Sequence, residues 1–556
     1  MLLDIHPDKA AYRPGETIRL NVSLTGPIQS DRYIVASITF LSGEVTRLER
    51  TVHRFAGETV TVELAWTPPV AAPRGYGVDL EVLDGAGQTL AAASTALDVL
   101  DRWTQAPRYG FLTDFGPDRA SFDRTMCWLT KYHINGLQFY DWMYRHEQLL
   151  PPADVFEDPL GRRLSLATVE KLIDAAHARG IAAMPYTAVY AASVLFFRQH
   201  PDWGLLDAEV RPIPFGDDFL MIMNPASSSP WTEHLQSQFA EVLEKTAFDG
   251  IHLDQYGDPK VAYDGYGNRL DLAHVLPEFI DLTRRTATGI RPDTAVVFNC
   301  VGNWPIKEAA RSKQDFVYIE MWPPDTLYED LHRRIVEAQA LSHGKPVVVA
   351  AYIDPARARN VILAEAAIFA SGGYHIEMGE PGGMLADPYF PNYVQMSDEL
   401  ATILRRYYDF AVRYENVLSQ GTQDATARRA ADVAIEGVNT DAERACDKVW
   451  VIAREGAGYE TVSLINMLDV TDPDWSGFQP KDPTPLTDVR VRCYTDRPTQ
   501  RIWWASPDNE SPRARPLEFT IGSDATGTYV MFTMPLLVYW DLIVLERAAI
   551  YPQGTK

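Results

Sequence analysis

The alternation of apolar and polar positions divides this chain into three stretches. Over residues 1 to about 100, runs such as TIRLNVSL, YIVASITFL, TVTVELAW and YGVDLEVLD alternate with period two, with turn residues such as PGE at 14–16 between runs. Successive strand side chains point to opposite faces, so this pattern buries one face of each strand and predicts an immunoglobulin-like β-sandwich over residues 1–103. From Arg108 the pattern changes. Eight short apolar runs, at 109–115, 136–142, 182–189, 250–257, 295–300, 316–322, 347–353 and 372–380, alternate with amphipathic helical stretches. Parallel strands need crossover helices, and eight such units close on themselves, so residues 104–425 are predicted to form a (β/α)8 TIM barrel. Leu400, Ile403, Leu404, Tyr407, Tyr408, Ala411 and Tyr414 recur at helical spacing and mark its closing helix. Beyond it VWVIA, TVSLINML, VRVRCYT, YVMFTM and DLIVLE return to strand patterning, which predicts a C-terminal Greek-key β-sandwich over 426–556.

Length agrees with this multidomain expectation, because single cores stop growing at about 250–300 residues and the chain has 556. Apolar residues make up 46% and charged residues 23%, the composition of an ordinary globular protein. Acidic residues outnumber basic ones 75 to 51, giving a formal charge of −24 with no Lys/Arg-rich run. Nucleic acid and anionic membrane surfaces are therefore not expected partners, whereas a neutral polymer is indifferent to that charge. Cys127, Cys300, Cys446 and Cys493 form no CxxC pair, so neither a zinc site nor a disulfide framework is expected. The N-terminal MLLDIHPDKA has no basic region followed by a long apolar run, so the sequence as written reads as cytoplasmic, or as extracellular if a leader has been removed.

In a TIM barrel the chemistry sits at the C-terminal ends of the strands, so inward-pointing acids there are the first candidates. In the fourth strand Ile251 and Leu253 share one face, which leaves His252 and Asp254 on the inner one. The sixth strand repeats the pattern, with Val317 and Ile319 outward and Tyr318 and Glu320 inward. Two carboxylates thus end strands one βα unit apart, beside Gln255, Tyr256 and Trp322. Aromatic rings stack on the apolar faces of a pyranose while acids and amides bind its hydroxyls, so the constellation points to sugar chemistry. Glycosidic cleavage needs one protonated and one ionised carboxyl. Glu320, next to Trp322, suits the acid and Asp254, next to the amide of Gln255, the charged partner, without the surroundings deciding the roles. Asp141 with Trp142, Tyr186, Asn299 and His375 with Glu377 are further strand-end candidates for binding sugar hydroxyls; Asp114, Trp304, Tyr352 and Asp354 occupy similar positions. No His-x-His pair lies on an early strand, so no metal or other cofactor is expected.

The segments LQFYDWMYRHEQ (137–148), MPYTAVYAAS (184–193), MNPASSSPW (223–231), FDGIHLDQYGD (248–258), FVYIEMWPP (316–324) and AAIFASGGYHIEMGE (366–380), with DPYFPNY (387–393), resemble glycoside hydrolase family 66. That family contains dextranases and cycloisomaltooligosaccharide glucanotransferases. The resemblance implies a retaining double displacement on α-1,6-glucan, with Asp254 as nucleophile and Glu320 as acid/base, acting on dextran or isomaltooligosaccharides. Cyclising members carry a carbohydrate-binding module inserted in the catalytic region, for which this barrel has no room, so hydrolysis is expected over cyclisation. The alternatives are a transglycosylase, including the cyclising glucanotransferase, and, in another class, a non-catalytic carbohydrate-binding protein.

Overall fold

The computed structural model describes residues 2–547, apart from positions 27, 29, 56, 71, 218, 444 and 445. At the N-terminus, strands Leu2–Pro7, Ile18–Thr25 and Thr59–Trp66 form one antiparallel sheet. Gly43–Val52, Arg32–Phe40, Arg74–Leu83 and Thr89–Val99 form another. The two enclose a common core, to which the Ile18–Thr25 strand gives Ile18, Leu20, Val22 and Leu24 while its intervening residues face outward. Two further, mainly antiparallel sheets near the C-terminus, one around Val449–Gly456 and Tyr459–Asn466 and one around Leu486–Tyr494 and Thr528–Leu537, share a core of their own.

Between them lies an eight-stranded parallel sheet whose strands follow chain order: β1 (Tyr109–Leu112), β2 (Gly136–Phe139), β3 (Ala182–Ala188), β4 (Gly250–Asp254), β5 (Ala295–Val301), β6 (Val317–Glu320), β7 (Val347–Ala350) and β8 (Tyr374–His375). The sheet curls until the amide of Phe111 in β1 donates to the Met378 carbonyl just past β8, at 3.1 Å, bringing its two edges together. The inner face holds Tyr109, Phe111, Met184, Val297, Tyr318, Val348 and Tyr374, a packed plug beneath the site. The outer face holds Leu137, Ala183, Ile251, Leu253, Val296, Phe298, Val317 and Ile319 against the helices. The division expected for β4 and β6 from parity is therefore the one observed.

The closing helix, Asp398–Arg413, is capped by Ser397, whose Oγ accepts from the Leu400 amide. Its Asp409 accepts from Thr95 and from the Ala96 amide of the N-terminal sheet and contacts His133 at 2.7 Å, pinning that sheet to the barrel wall. Gly250, at the start of β4, sits where an added Cβ would collide with the Ala295 carbonyl oxygen and the Met184 side chain. Gly250→Ala is expected to cost about 1–3 kcal/mol through overpacking, read as a lowered melting temperature in calorimetry.

Candidate active site

Loops at the C-terminal ends of β2 to β6 and the segment after β8 surround a pocket of about 600 Å³. Asp254 and Glu320 both line it. They are held by the residue between them on the barrel wall: Asn299 of β5 donates from Nδ2 to Asp254 Oδ1 at 2.8 Å and to Glu320 Oε2 at 3.0 Å. One amide nitrogen within hydrogen-bond reach of both acids means that these two oxygens stand no farther apart than the two bonds laid end to end. Each carboxylate has a second donor on its far side. Tyr186 OH donates to Asp254 Oδ2 at 2.8 Å, and Tyr352 OH donates to Glu320 Oε1 at 2.7 Å.

Burial dominates the electrostatics. Desolvation and the neighbouring charge of Glu320 push Asp254 up to about 7, against the Tyr186, Asn299 and Gln255 hydrogen bonds that favour its ionised form. Glu320, only 8% exposed, is likewise raised by burial, with Tyr352, Asn299 and the Trp322 side chain acting in the opposite sense. Two buried acids this close cannot both ionise cheaply, so the pair keeps one proton near neutrality. A protonated and an ionised carboxyl within one hydrogen-bond network are what general acid and nucleophilic chemistry require.

The remaining candidates separate. Tyr186 and Asp141 line the pocket, Asp141 at a positive φ of 53° and 3.5 Å from Arg162, which in turn pairs with Asp158. Burial raises Asp141 to about 7, with Arg162 opposing. Trp322 lines the pocket with 39% of its surface exposed, its ring edge-on to Tyr352. Asn299 proves to hold the acids from beneath rather than to offer its amide to a ligand. Gln255 borders the pocket, yet its Nε2 donates to the Asn299 and Trp304 carbonyls and its Oε1 accepts from Tyr190 and the Gly257 amide, so the amide is fully used inside the protein. Trp142 is fully buried behind the wall, its indole N–H on the Tyr186 carbonyl.

His375 and Glu377 are on the opposite face of β8 from the pocket. Tyr374 and Ile376 point into the barrel plug, so their neighbours point outward, where Glu365 and Tyr408 receive them. Polarity misleads here because two polar side chains of an otherwise apolar helical layer, Glu365 and Tyr408, meet this strand.

Some pocket residues carried no signal strong enough to single them out. Phe215 and Phe219 come from a hairpin in the long segment between β3 and β4, where Phe215 stacks on Tyr256 with ring centroids 4.0 Å apart. Tyr389 arrives from the segment after β8, and Tyr140, the residue after β2, lies over Tyr186 at 4.9 Å. Which rings face the cleft is set by loop paths that periodicity does not encode.

The chain as a whole is similar to proteins already known. A family model described as glycosyl hydrolase family 66 matches residues 7–544. A cycloisomaltooligosaccharide glucanotransferase of Niallia circulans is 25% identical over 707 aligned positions, covering 99% of this chain and 72% of the relative. A dextranase of Streptococcus salivarius is 23% identical, covering 85% of this chain and 67% of the relative. Among solved structures, the Paenibacillus sp. cycloisomaltooligosaccharide glucanotransferase complexed with cycloisomaltoheptaose superposes with a TM-score of 0.91 at 24% identity, covering 97% of this chain and 99% of that one.

Proposed function

Because the chain belongs to glycosyl hydrolase family 66, we propose that it is a retaining, endo-acting hydrolase of the α-1,6-glucosidic bonds of dextran or isomaltooligosaccharides. The observation that carries this is the shared amide of Asn299. Its two bonds, 2.8 and 3.0 Å, hold Asp254 Oδ1 and Glu320 Oε2 close together, which is compatible with the roughly 5–5.5 Å carboxyl separation of a retaining pair.

In this reading residues 104–425 form the catalytic unit. Asp254 attacks the anomeric carbon while Glu320 protonates the departing glycosidic oxygen; Glu320, now ionised, then deprotonates the water that releases the glucosyl-enzyme ester. The order of roles rests on the resemblance of the HLDQ and YIEMW segments, since the hydrogen bonding of the two acids is nearly symmetric. Asp141, Tyr186 and the exposed ring of Trp322 are the sugar-binding groups. The test is incubation with dextran: reducing ends should accumulate with retained anomeric configuration, and their absence from active, folded protein would refute hydrolysis.

Glucanotransfer is the second reading, favoured by the broader coverage of the glucanotransferase relative. Against it stands the length of that alignment, 707 positions for a chain of 556 residues, which gives the relative sequence that this chain lacks. Cyclic or lengthened glucans in place of reducing ends would select it.

The hydroxyl donors give a pH signature. Tyr352→Phe removes a bond that lowers the Glu320 pKa, so that pKa rises. The acid works protonated, and the alkaline limb of the kcat/KM profile should move to higher pH. Tyr186→Phe raises Asp254 in the same way, but that group works ionised, so it is the acidic limb that should move up.

A further inference from the structure

On the outer face of the barrel wall, away from the pocket, Glu365, His375 and Glu377 form a cluster that the proposed reaction does not use. None is more than 1% exposed. His375 and Glu377 project from the same side of the eighth strand and its extension, and Glu365 reaches them from the helix Ala358–Ala370. One side-chain nitrogen or oxygen from each lies within 4.8 Å of the other two.

His375 Nε2 lies 3.0 Å from the Ala351 carbonyl oxygen and 3.3 Å from the Ala351 amide nitrogen; with its proton on Nε2, shared with that carbonyl, the ring presents a lone pair at Nδ1. Nδ1 is hydrogen-bonded to Glu365 Oε1 at 2.5 Å, one proton lying between them, and stands 3.5 Å from Glu377 Oε2; a bound ion takes the place of that proton. Three electron-pair donors thus converge on one point inside the protein. Glu377 Oε2 and Glu365 Oε2 have no hydrogen-bond partner among the described residues, while Glu377 Oε1 accepts from Tyr408. The groups acting on the two glutamates are each other, His375 and Tyr408, with no lysine or arginine among them. Carboxylates at full burial require a compensating cation or must take up protons.

We infer that Glu365, His375 and Glu377 bind a divalent transition-metal ion of the Zn²⁺ or Mn²⁺ kind. One imidazole nitrogen and two carboxylate oxygens are a donor set that such ions accept. The 3.5 Å between Nδ1 and Glu377 Oε2 is the separation of two ligands each about 2.0–2.2 Å from one ion, and Glu365 needs to withdraw by less than about 1 Å to join them. The Nε2–H bond to Ala351 is the outer contact that orients a metal-bound imidazole, and Tyr408 restrains Glu377 in the same manner. The ion's role is structural. It ties the helix Ala358–Ala370 and the closing helix to the end of the eighth strand, from which the chain runs on to Tyr389 in the pocket wall.

The test is metal content. Protein produced in medium supplemented with Zn²⁺ or Mn²⁺, then dialysed against EDTA, is analysed by mass spectrometry of the elements. About one ion per chain is expected in the wild type and less than about 0.1 in Glu365→Gln/Glu377→Gln. A wild type holding less than about 0.1 ion per chain from either medium overturns the inference, since the carboxyls then carry protons, and so does a double variant that keeps its ion. If the double variant does not fold, X-ray absorption of the wild type decides: a shell of nitrogen and oxygen including one imidazole supports the site, and sulfur ligation defeats it.

Discussion

Asp254→Asn is expected to lower kcat on dextran by at least about 10⁴-fold while leaving the melting temperature and the affinity for isomaltooligosaccharides nearly unchanged. The size of the loss follows from what the residue supplies. Its carboxylate is held by Tyr186 and Asn299 at 2.8 Å each and lines the pocket. An amide accepts and donates hydrogen bonds in the same place but cannot form the glucosyl ester. Azide makes the assignment decisive. In Asp254→Gly the small anion enters where the carboxylate stood and should give a glucosyl azide of configuration opposite to the substrate. A product of retained configuration would mean that the nucleophile is a different residue.

Glu320→Gln should cost about 10²–10⁴-fold on dextran, whose departing sugar hydroxyl is a poor leaving group that needs protonation. On an activated α-glucoside whose phenolate leaves unaided, the loss in the first step should be far smaller. Azide then attacks the accumulated glucosyl-enzyme and gives the azide of retained configuration, the reverse of the Asp254 result. The variant should also lose the alkaline limb of the pH profile, because the burial-raised carboxyl of Glu320 is the group whose deprotonation sets it. Equal losses on dextran and on the activated substrate would remove Glu320 from the acid role.

The two acids were legible because strands β4 and β6 obey a simple rule. Ile251, Leu253, Val317 and Ile319 bury themselves against helices, and alternation leaves Asp254 and Glu320 inside. The same rule applied to β8 put His375 and Glu377 on the wrong face. There the inner positions are Tyr374 and Ile376, and the polar pair is absorbed by Glu365 and Tyr408 from the helical layer. Trp142 and Gln255 followed the strands they adjoin into plausible positions, but packing on Phe248 and saturation of the amide took them out of reach of a ligand.

What the sequence by itself determined is the succession of elements, since periodicity of two or of three to four is written in each segment alone, together with the identity of the two acids at the ends of their strands. What only the tertiary structure decided is which groups meet. Asn299 joins Asp254 to Glu320 because β5 lies between β4 and β6, Tyr186, Phe215 and Tyr389 reach the same cleft from three separate loops and strands, and Tyr352 meets Glu320 from beyond β7. Contacts of that kind depend on barrel closure and on loop paths, which belong to the whole chain and leave no local pattern to be read.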